Sequence, residues 1–163
     1  MRRLVIALAA GFWSVGVPAA FASDEATHPF SVHDMLAMKR ISDPQASPDG
    51  KTIVFALRTT DLEANKGRTD LWLVNVDGTG LLRLTSHPTS ESNPRWSRDG
   101  KSIYFLSARS ESSQVWRIAV DGGEAEQVTK LPLDVSAFAL SHDGLMLAVA
   151  MDVFPDATPD ETK

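Results

Sequence analysis

The sequence contains no cysteine, so it can form neither a disulfide framework nor a thiolate metal site, and its stability has to come from packing. It has no basic run and no low-complexity block. With a formal net charge of −5 it has no electrostatic ground for nucleic acid or an anionic membrane as a partner. Its four histidines, His28, His33, His87 and His142, show no metal-ligand spacing, and each falls in a predicted loop, turn or helix start. Gly11-Phe12-Trp13-Ser14-Val15-Gly16 resembles a nucleophile elbow, but the G-x-S-x-G spacing fails at Phe12. No catalytic, cofactor-binding or metal-ligating residue is therefore expected in this chain, and no cofactor.

Long apolar runs are also scarce. Leu4 to Val17 is the main one, broken by Gly11, Ser14 and Gly16, and it is shorter than the ~20 residues a spanning helix needs. Arg2 and Arg3 precede it, and Ala20-Phe21-Ala22 follows as an A-x-A site. This is the pattern of a secretory signal peptide over residues 1–22, cleaved before Ser23. The surroundings of a twin-arginine signal are missing, and no cysteine follows the cleavage site to take a lipid. The mature chain is expected in the periplasm or outside the cell, with no stable membrane anchor after cleavage.

What the sequence does contain is a repeat. SPDGKTIVF at Ser47–Phe55 returns as SRDGKSIYF at Ser97–Phe105 and as SHDGLMLAV at Ser141–Val149. Trp72 and Trp116, Asp77 and Asp121, Thr85 and Thr129, and Ser97 and Ser141 each stand 44 positions apart. The first pair of SxDG segments is 50 apart. The extra residues fall in Thr59 to Thr69, read here as an inserted polar loop. Insertions of this kind often line a binding face, and a plain solvated loop is the simpler reading.

Each unit carries Asp-Gly pairs, at Asp49-Gly50, Asp77-Gly78, Asp99-Gly100, Asp121-Gly122 and Asp143-Gly144, expected as type I′ hairpin turns. Turn geometry accounts for these acids. A calcium loop needs more oxygen ligands than Asp77-Gly78-Thr79-Gly80 offers. Between the turns lie short runs rich in β-branched and aromatic residues. The best-preserved unit reads as four strands: Pro94 to Ser97, Lys101 to Ala108, Gln114 to Val120 and Ala125 to Thr129. Ile53 to Leu57 and Leu71 to Val74 are continuous apolar runs, as expected of strands buried on both faces. A β-sandwich would show cleaner alternation and no fixed period. Trp72, Trp96 and Trp116 sit at repeat positions and are assigned to packing between sheets.

The fold class is accordingly all-β: a partial β-propeller of about two and a half four-stranded blades, preceded by the signal peptide and a short helix. The divisions are 1–22 signal peptide, 23–40 extension with the helix, 41–152 incomplete propeller of these repeats and 153–163 polar tail. Ser31 caps the helix, Asp34 sits near its N-terminus, and Val32, Met35, Leu36 and Lys39 share a face expected to pack on the propeller rim or another domain. A propeller closes with about 4–8 blades. The ring is therefore expected to need more chain, as part of a longer protein, or a homo-oligomer that completes it.

These segments resemble a family. Phe30 to Leu36, then Ile41-Ser42-Asp43-Pro44-Gln45-Ala46-Ser47-Pro48-Asp49-Gly50-Lys51, then Asn93-Pro94-Arg95-Trp96-Ser97, look like the start of the secreted prolyl oligopeptidase-type serine peptidases. That group includes dipeptidyl-peptidase-like and acylaminoacyl-peptidase-like enzymes. Arg98 and His142 stand where that pattern has proline, and Leu145 stands where it has lysine. The resemblance implies a parent enzyme with its Ser-Asp-His triad in a C-terminal α/β-hydrolase domain absent from this chain. The propeller would then restrict which short peptides reach the triad, and the chain alone would have no activity. TolB-like periplasmic propellers carry the same repeat, so a binding protein that docks envelope partners without chemistry is the alternative. A lectin or scaffold propeller is a third.

Overall fold

The computed structural model describes residues 28–153. The expected signal peptide, the elbow-like stretch at 11–16 and nearly all of the polar tail lie outside them. The chain divides into two units, 1–30 and 31–163. Only residues 28–30 of the first are described, and the architecture below is that of the second.

A short helix, α1 (Val32–Ala37), leads into ten strands. Blade 1 is the antiparallel sheet β1 (Arg40–Ala46), β2 (Thr52–Asp61), β3 (Lys66–Asn75) and β4 (Leu82–Arg83). Blade 2 repeats it as β5 (Glu91–Trp96), β6 (Ser102–Ser110), β7 (Ser112–Ala119) and β8 (Glu126–Gln127). β9 (Val135–Leu140) and β10 (Leu147–Met151) pair as the first two strands of blade 3. This is a partial β-propeller with sequential, hairpin-connected blades. Ser31 caps α1 in a capping box: Asp34 N–H donates to its hydroxyl, and the Asp34 carboxylate accepts from its backbone N–H at 2.7 Å. The helix touches β2. Of its expected packing face only Leu36 is half-buried, while Val32, Met35 and Lys39 stay exposed.

The repeated nine letters encode a closed hydrogen-bonded module. In the first copy Gly50 N–H donates to the Ser47 carbonyl (2.9 Å), and Ser47 N–H donates to the Thr52 carbonyl (2.8 Å). The Ser47 hydroxyl donates to Asp49 Oδ1 (2.6 Å) and accepts from Thr52 N–H (3.0 Å), while the same carboxylate accepts from Lys51 N–H (3.2 Å). Ser97-Asp99 and Ser141-Asp143 reproduce every one of these bonds. The expected type I′ turn is corrected here. Only the glycines take left-handed φ (69°, 68° and 73° at Gly50, Gly100 and Gly144), and the aspartates do not. The turn is type I followed by a left-handed glycine. Pro48 presets φ at its second position, and any residue with ordinary φ serves there, which admits Arg98 and His142. Position 145 contributes only its N–H, which admits Leu145.

Two further features escaped the strand reading. Asp43 (φ 48°) and Asn93 (φ 56°) each precede a proline in an innermost strand, and the pairing register slips at both places. Proline has no N–H for the ladder, so a bulge carries Pro44 and Pro94 past it. Blade 3 has Ala137-Phe138 there, both paired, and its register slips one residue earlier, where Ser136 is passed over between Val135 and Ala137. The insertion read as a loop is in fact a longer hairpin. Thr59↔Arg68, Thr60↔Gly67 and Asp61↔Lys66 are paired, and only Leu62–Asn65 turn. The Arg58 guanidinium lies over Gly67, where a Cβ would meet it at 2.1 Å and displace that flexible end.

The core forms between blades. Val54, Ala56, Leu71, Leu73 and Leu84 of blade 1 pack against Ile103, Phe105 and Ile118 of blade 2, with Trp96 and Trp116 alongside. The opposite face of blade 2 gives Leu106 and Val115 to a second cluster with Val135 and Phe138. Blade 2 thus contributes buried apolar residues from both faces. The aromatic pair Phe55↔Trp72 recurs as Phe105↔Trp116. Beyond blade 3, Ala137, Ala139, Ala148 and Ala150 face outward and are exposed.

Phe105 is fully buried at the first seam, so Phe105→Ala is expected to cost about 3–5 kcal/mol, read from the urea midpoint. The Asp49, Asp99 and Asp143 carboxyls are held below their ordinary value of 3.8, by the serine hydroxyl first and the backbone N–H second. Their contribution is present above that ordinary value and is lost as pH falls through the lowered values. Carbon-detected carboxyl titration is expected to show Ser97→Ala returning Asp99 toward 3.8 while Asp49 and Asp143 stay low.

Candidate functional site

Each blade is fastened to the connector of the next by polar groups in the same register. Thr69 N–H donates to Ser90 Oγ (3.2 Å), and 44 positions on, Ser113 N–H donates to Asp134 Oδ1 (2.6 Å). Leu71 N–H donates to the Thr85 hydroxyl and Val115 N–H to the Thr129 hydroxyl, both at 2.9 Å. The outermost strands are only two residues long, so these hydroxyls extend the ladder where backbone pairing ends.

What the threonine hydroxyl donates to differs between the seams. At the first seam Thr85 donates to the Glu91 carboxylate, whose other oxygen pairs with Arg109. Glu91 is wholly buried. Burial pushes its carboxyl above the ordinary range, against the Thr85 hydroxyl and the Arg109 guanidinium, and Asp70 adds to the upward push. The Arg109 guanidinium also lies 5.0 Å from the Trp116 ring centroid and 5.3 Å from that of Phe105. Asp70, also buried, holds Arg83 at 2.9 Å and Arg68 at 3.3 Å through one oxygen. Its other oxygen has no partner among the described residues. At the second seam the two acids are replaced by Gln114 and Val135. The Gln114 amide accepts from Thr129 and Leu131 N–H and donates to the Leu131 and Leu133 carbonyls. With each Glu91 oxygen engaged, this cluster is an ionic anchor between blades.

The concave feature lies at the end carrying the SxDG turns. An open groove of about 920 Å³ runs between the inner strands of blades 1 and 2 and the β9–β10 turn. Arg95, Arg98 and Arg117 bring three guanidinium groups to it, with Tyr104 on the strand between Arg95 and Arg117 and with Trp96 and Leu140 as apolar surface. Asp99 and Asp143 are the carboxylates in its wall, and both are engaged in their turns. Arg95 pairs with Asp43 (2.8 Å), and Arg117 pairs with Glu126 (2.5 Å). The Trp96 indole N–H donates to the Gln45 carbonyl (2.9 Å), tying blade 2 to blade 1.

Trp96 and Trp116 pack at the first seam as assigned, whereas Trp72 lies on the other face of blade 1, outside both core clusters, its indole N–H without a partner among the described residues. His87 Nδ1 accepts from Thr89 N–H, and His142 lies in the third turn with its carbonyl near Arg98. Among the described residues no three His, Cys, Asp or Glu side chains are grouped to hold a metal ion. Neither the ionic anchor nor the groove was singled out in advance. The signal for the groove was available, since aligning the first two units at 50 residues places Arg95 against Gln45.

Comparison with known proteins adds to this geometry. The family model described as TolB beta propeller domain matches residues 33–153. A dipeptidyl-peptidase 5 of Porphyromonas endodontalis is 31% identical over an alignment covering 100% of this chain and 24% of that protein. Among solved structures, a protein of Agrobacterium tumefaciens assigned as TolB superposes with a TM-score of 0.54 at 27% identity, covering 66% of this chain and 38% of that one. An acylaminoacyl peptidase of Pyrococcus horikoshii gives 0.53 at 22%, covering 71% and 18%; it supports the fold. The chain spans about a quarter of the length of the first curated relative.

The anchor yields a sharp expectation. Arg109→Ala leaves Glu91 buried without its cation and is expected to cost about 3–5 kcal/mol in chemical denaturation. Replacing both partners, Arg109→Met with Glu91→Val, is expected to recover most of that loss, because Val135 already fills the corresponding place at the second seam.

Proposed function

The chain belongs to the TolB β-propeller domain family, and on that premise we propose that it forms the opening blades of the substrate-gating propeller of a secreted serine peptidase. The parent enzyme hydrolyses peptide bonds of short peptides, in the periplasm or outside the cell. Its catalytic α/β-hydrolase domain lies elsewhere in the parent, and peptide reaches the triad past the propeller. The single observation that carries this reading is that the alignment with a dipeptidyl-peptidase covers all of this chain, the segment before the first repeat included. The leading helix, with its capping box ahead of the first blade, is consistent with it.

The blades suit a gate. Sheets locked face to face by apolar seams and side-chain latches form a stiff wall, so admission depends on the width of the passage they enclose. Among the described residues no helix is long and apolar enough to cross a membrane. A second reading, a TolB-like propeller that docks envelope proteins without chemistry, is favoured by the 27% identity and the superposition with the Agrobacterium protein.

The test is made on the full-length gene product. A fluorophosphonate probe is expected to label one serine, and dipeptidyl-4-nitroanilides are expected to be cleaved while intact casein is not. A product that takes no label, cleaves no dipeptide and co-purifies with an envelope protein would establish the second reading instead.

A further inference from the structure

Blade 2 breaks the repeat along one row of its face. In blade 1 the cross-strand row reads Gln45, Val54, Leu73, Leu82. Val54 and Leu73 in it are 0% and 4% exposed, sealed against blade 2. The same row in blade 2 reads Arg95, Tyr104, Arg117, Glu126. In blade 3 it begins Ala139, Ala148. A closed seam requires apolar side chains here, and two guanidinium groups cannot be sealed into one without matched partners. Tyr104 of this row still packs on the second cluster beside Leu140 and Leu147, and a groove opens over the inner part of the row, lined by Arg95, Tyr104, Arg117, Trp96 and Leu140.

We propose that this groove is a carboxylate-binding site in which Arg95 and Arg117, on either side of Tyr104, grip the carboxylate of a short peptide. Four observations carry the choice. Guanidinium outnumbers carboxylate in the wall, three to two, and both wall carboxylates are committed to serine hydroxyls and backbone N–H groups. Arg95 also donates to the Pro94 carbonyl (2.6 Å), and the acidic partners of the two arginines are replaceable. The Arg95–Asp43 side chains are 33% and 30% exposed and the Arg117–Glu126 side chains 45% and 69%, the kind of surface pair that holds weakly. A planar guanidinium fork matches a carboxylate in two-point contact, which favours this anion over a point charge. Trp96, Leu140 and Pro48 supply apolar surface for a neighbouring side chain, and the volume, about 920 Å³, suits a few residues of peptide. The peptide as carrier rests on the peptidase reading. The preference for a carboxylate rests on the row alone.

The α-carboxylate and an acidic side chain share this chemistry, and calorimetric titration of the full-length gene product, blocked with fluorophosphonate where it takes the label, separates them. The probes are trialanine, trialanine amide and the amide of Ala-Glu-Ala. Trialanine binding about tenfold tighter than its amide assigns the α-carboxylate, and recovery by the glutamyl amide assigns the side chain. Arg95→Gln, which installs the blade 1 residue, and Arg117→Gln are each expected to weaken the acid-bearing peptide about tenfold and leave the neutral amide unchanged. Melting temperatures are measured beside them. If Arg95→Gln melts early through loss of Asp43, Arg117→Gln decides, with Arg117→Lys expected to recover part of the binding. Equal binding of all three probes, no binding by any probe, or unaltered affinity in a variant that melts as the parent does, overturns the site. Hydrolysis with indifferent binding would leave the peptidase reading standing, and binding without hydrolysis would leave the site standing.

Discussion

Blades 1 and 2 are sheets whose apolar facing surfaces cannot be left to water. That constraint governs the rest. Val54, Ala56, Leu71 and Leu73 present an apolar surface that the blade cannot bury by itself, because its strands already lie side by side. A face-to-face neighbour covers them, and that neighbour arrives with a second face in the same condition. The repeat is the sequence-level expression of this obligation, passed from sheet to sheet.

Backbone groups set the second condition. Outer strands of two residues leave amides of β3 and β7 without a ladder partner, and threonine hydroxyls take them over. The inner strands solve the reverse problem, with a bulge that carries Pro44 and Pro94 past positions where an N–H would be wanted. At the turns, serine and aspartate satisfy each other and three backbone N–H groups without help from another blade. Each device depends on one or two side chains, which is why so few letters recur while the rest of the unit varies.

The architecture was legible because its determinants are local. Asp-Gly spacing, the paired tryptophans and the double-faced apolar runs lie within a few residues of one another. They fixed the strand count and the half-finished third blade. The turn type was misjudged because an Asp-Gly pair signals a hairpin without revealing which residue takes left-handed φ. Pro48 in the second position of the turn carried that information. The ribbon at 59–69 read as a loop because its side chains are polar, although polar residues pair well in a hairpin that projects from the sheet. The ionic anchor was hidden for another reason. Thr85, Glu91 and Arg109 meet only when one blade's connector crosses the next blade's strand, and no periodicity encodes that crossing. The arginine row lay in plain view but only as a departure, visible once the units are superposed and their differences are weighed as heavily as their likenesses.

The two seams close with different chemistry: carboxylate, hydroxyl and guanidinium at the first, a neutral amide and a valine at the second. Neighbouring sheets are therefore not interchangeable parts. Were the third unit to dock on the first, Val135 would sit where Thr85 expects an acid, and Asp70 and its arginines would face a surface built for an amide. Fit by shape alone would allow such swaps, since the sheets are near copies. The chemical mismatch gives each joint its own address, and a ring assembled from look-alike pieces can keep its members in the order in which they are synthesised.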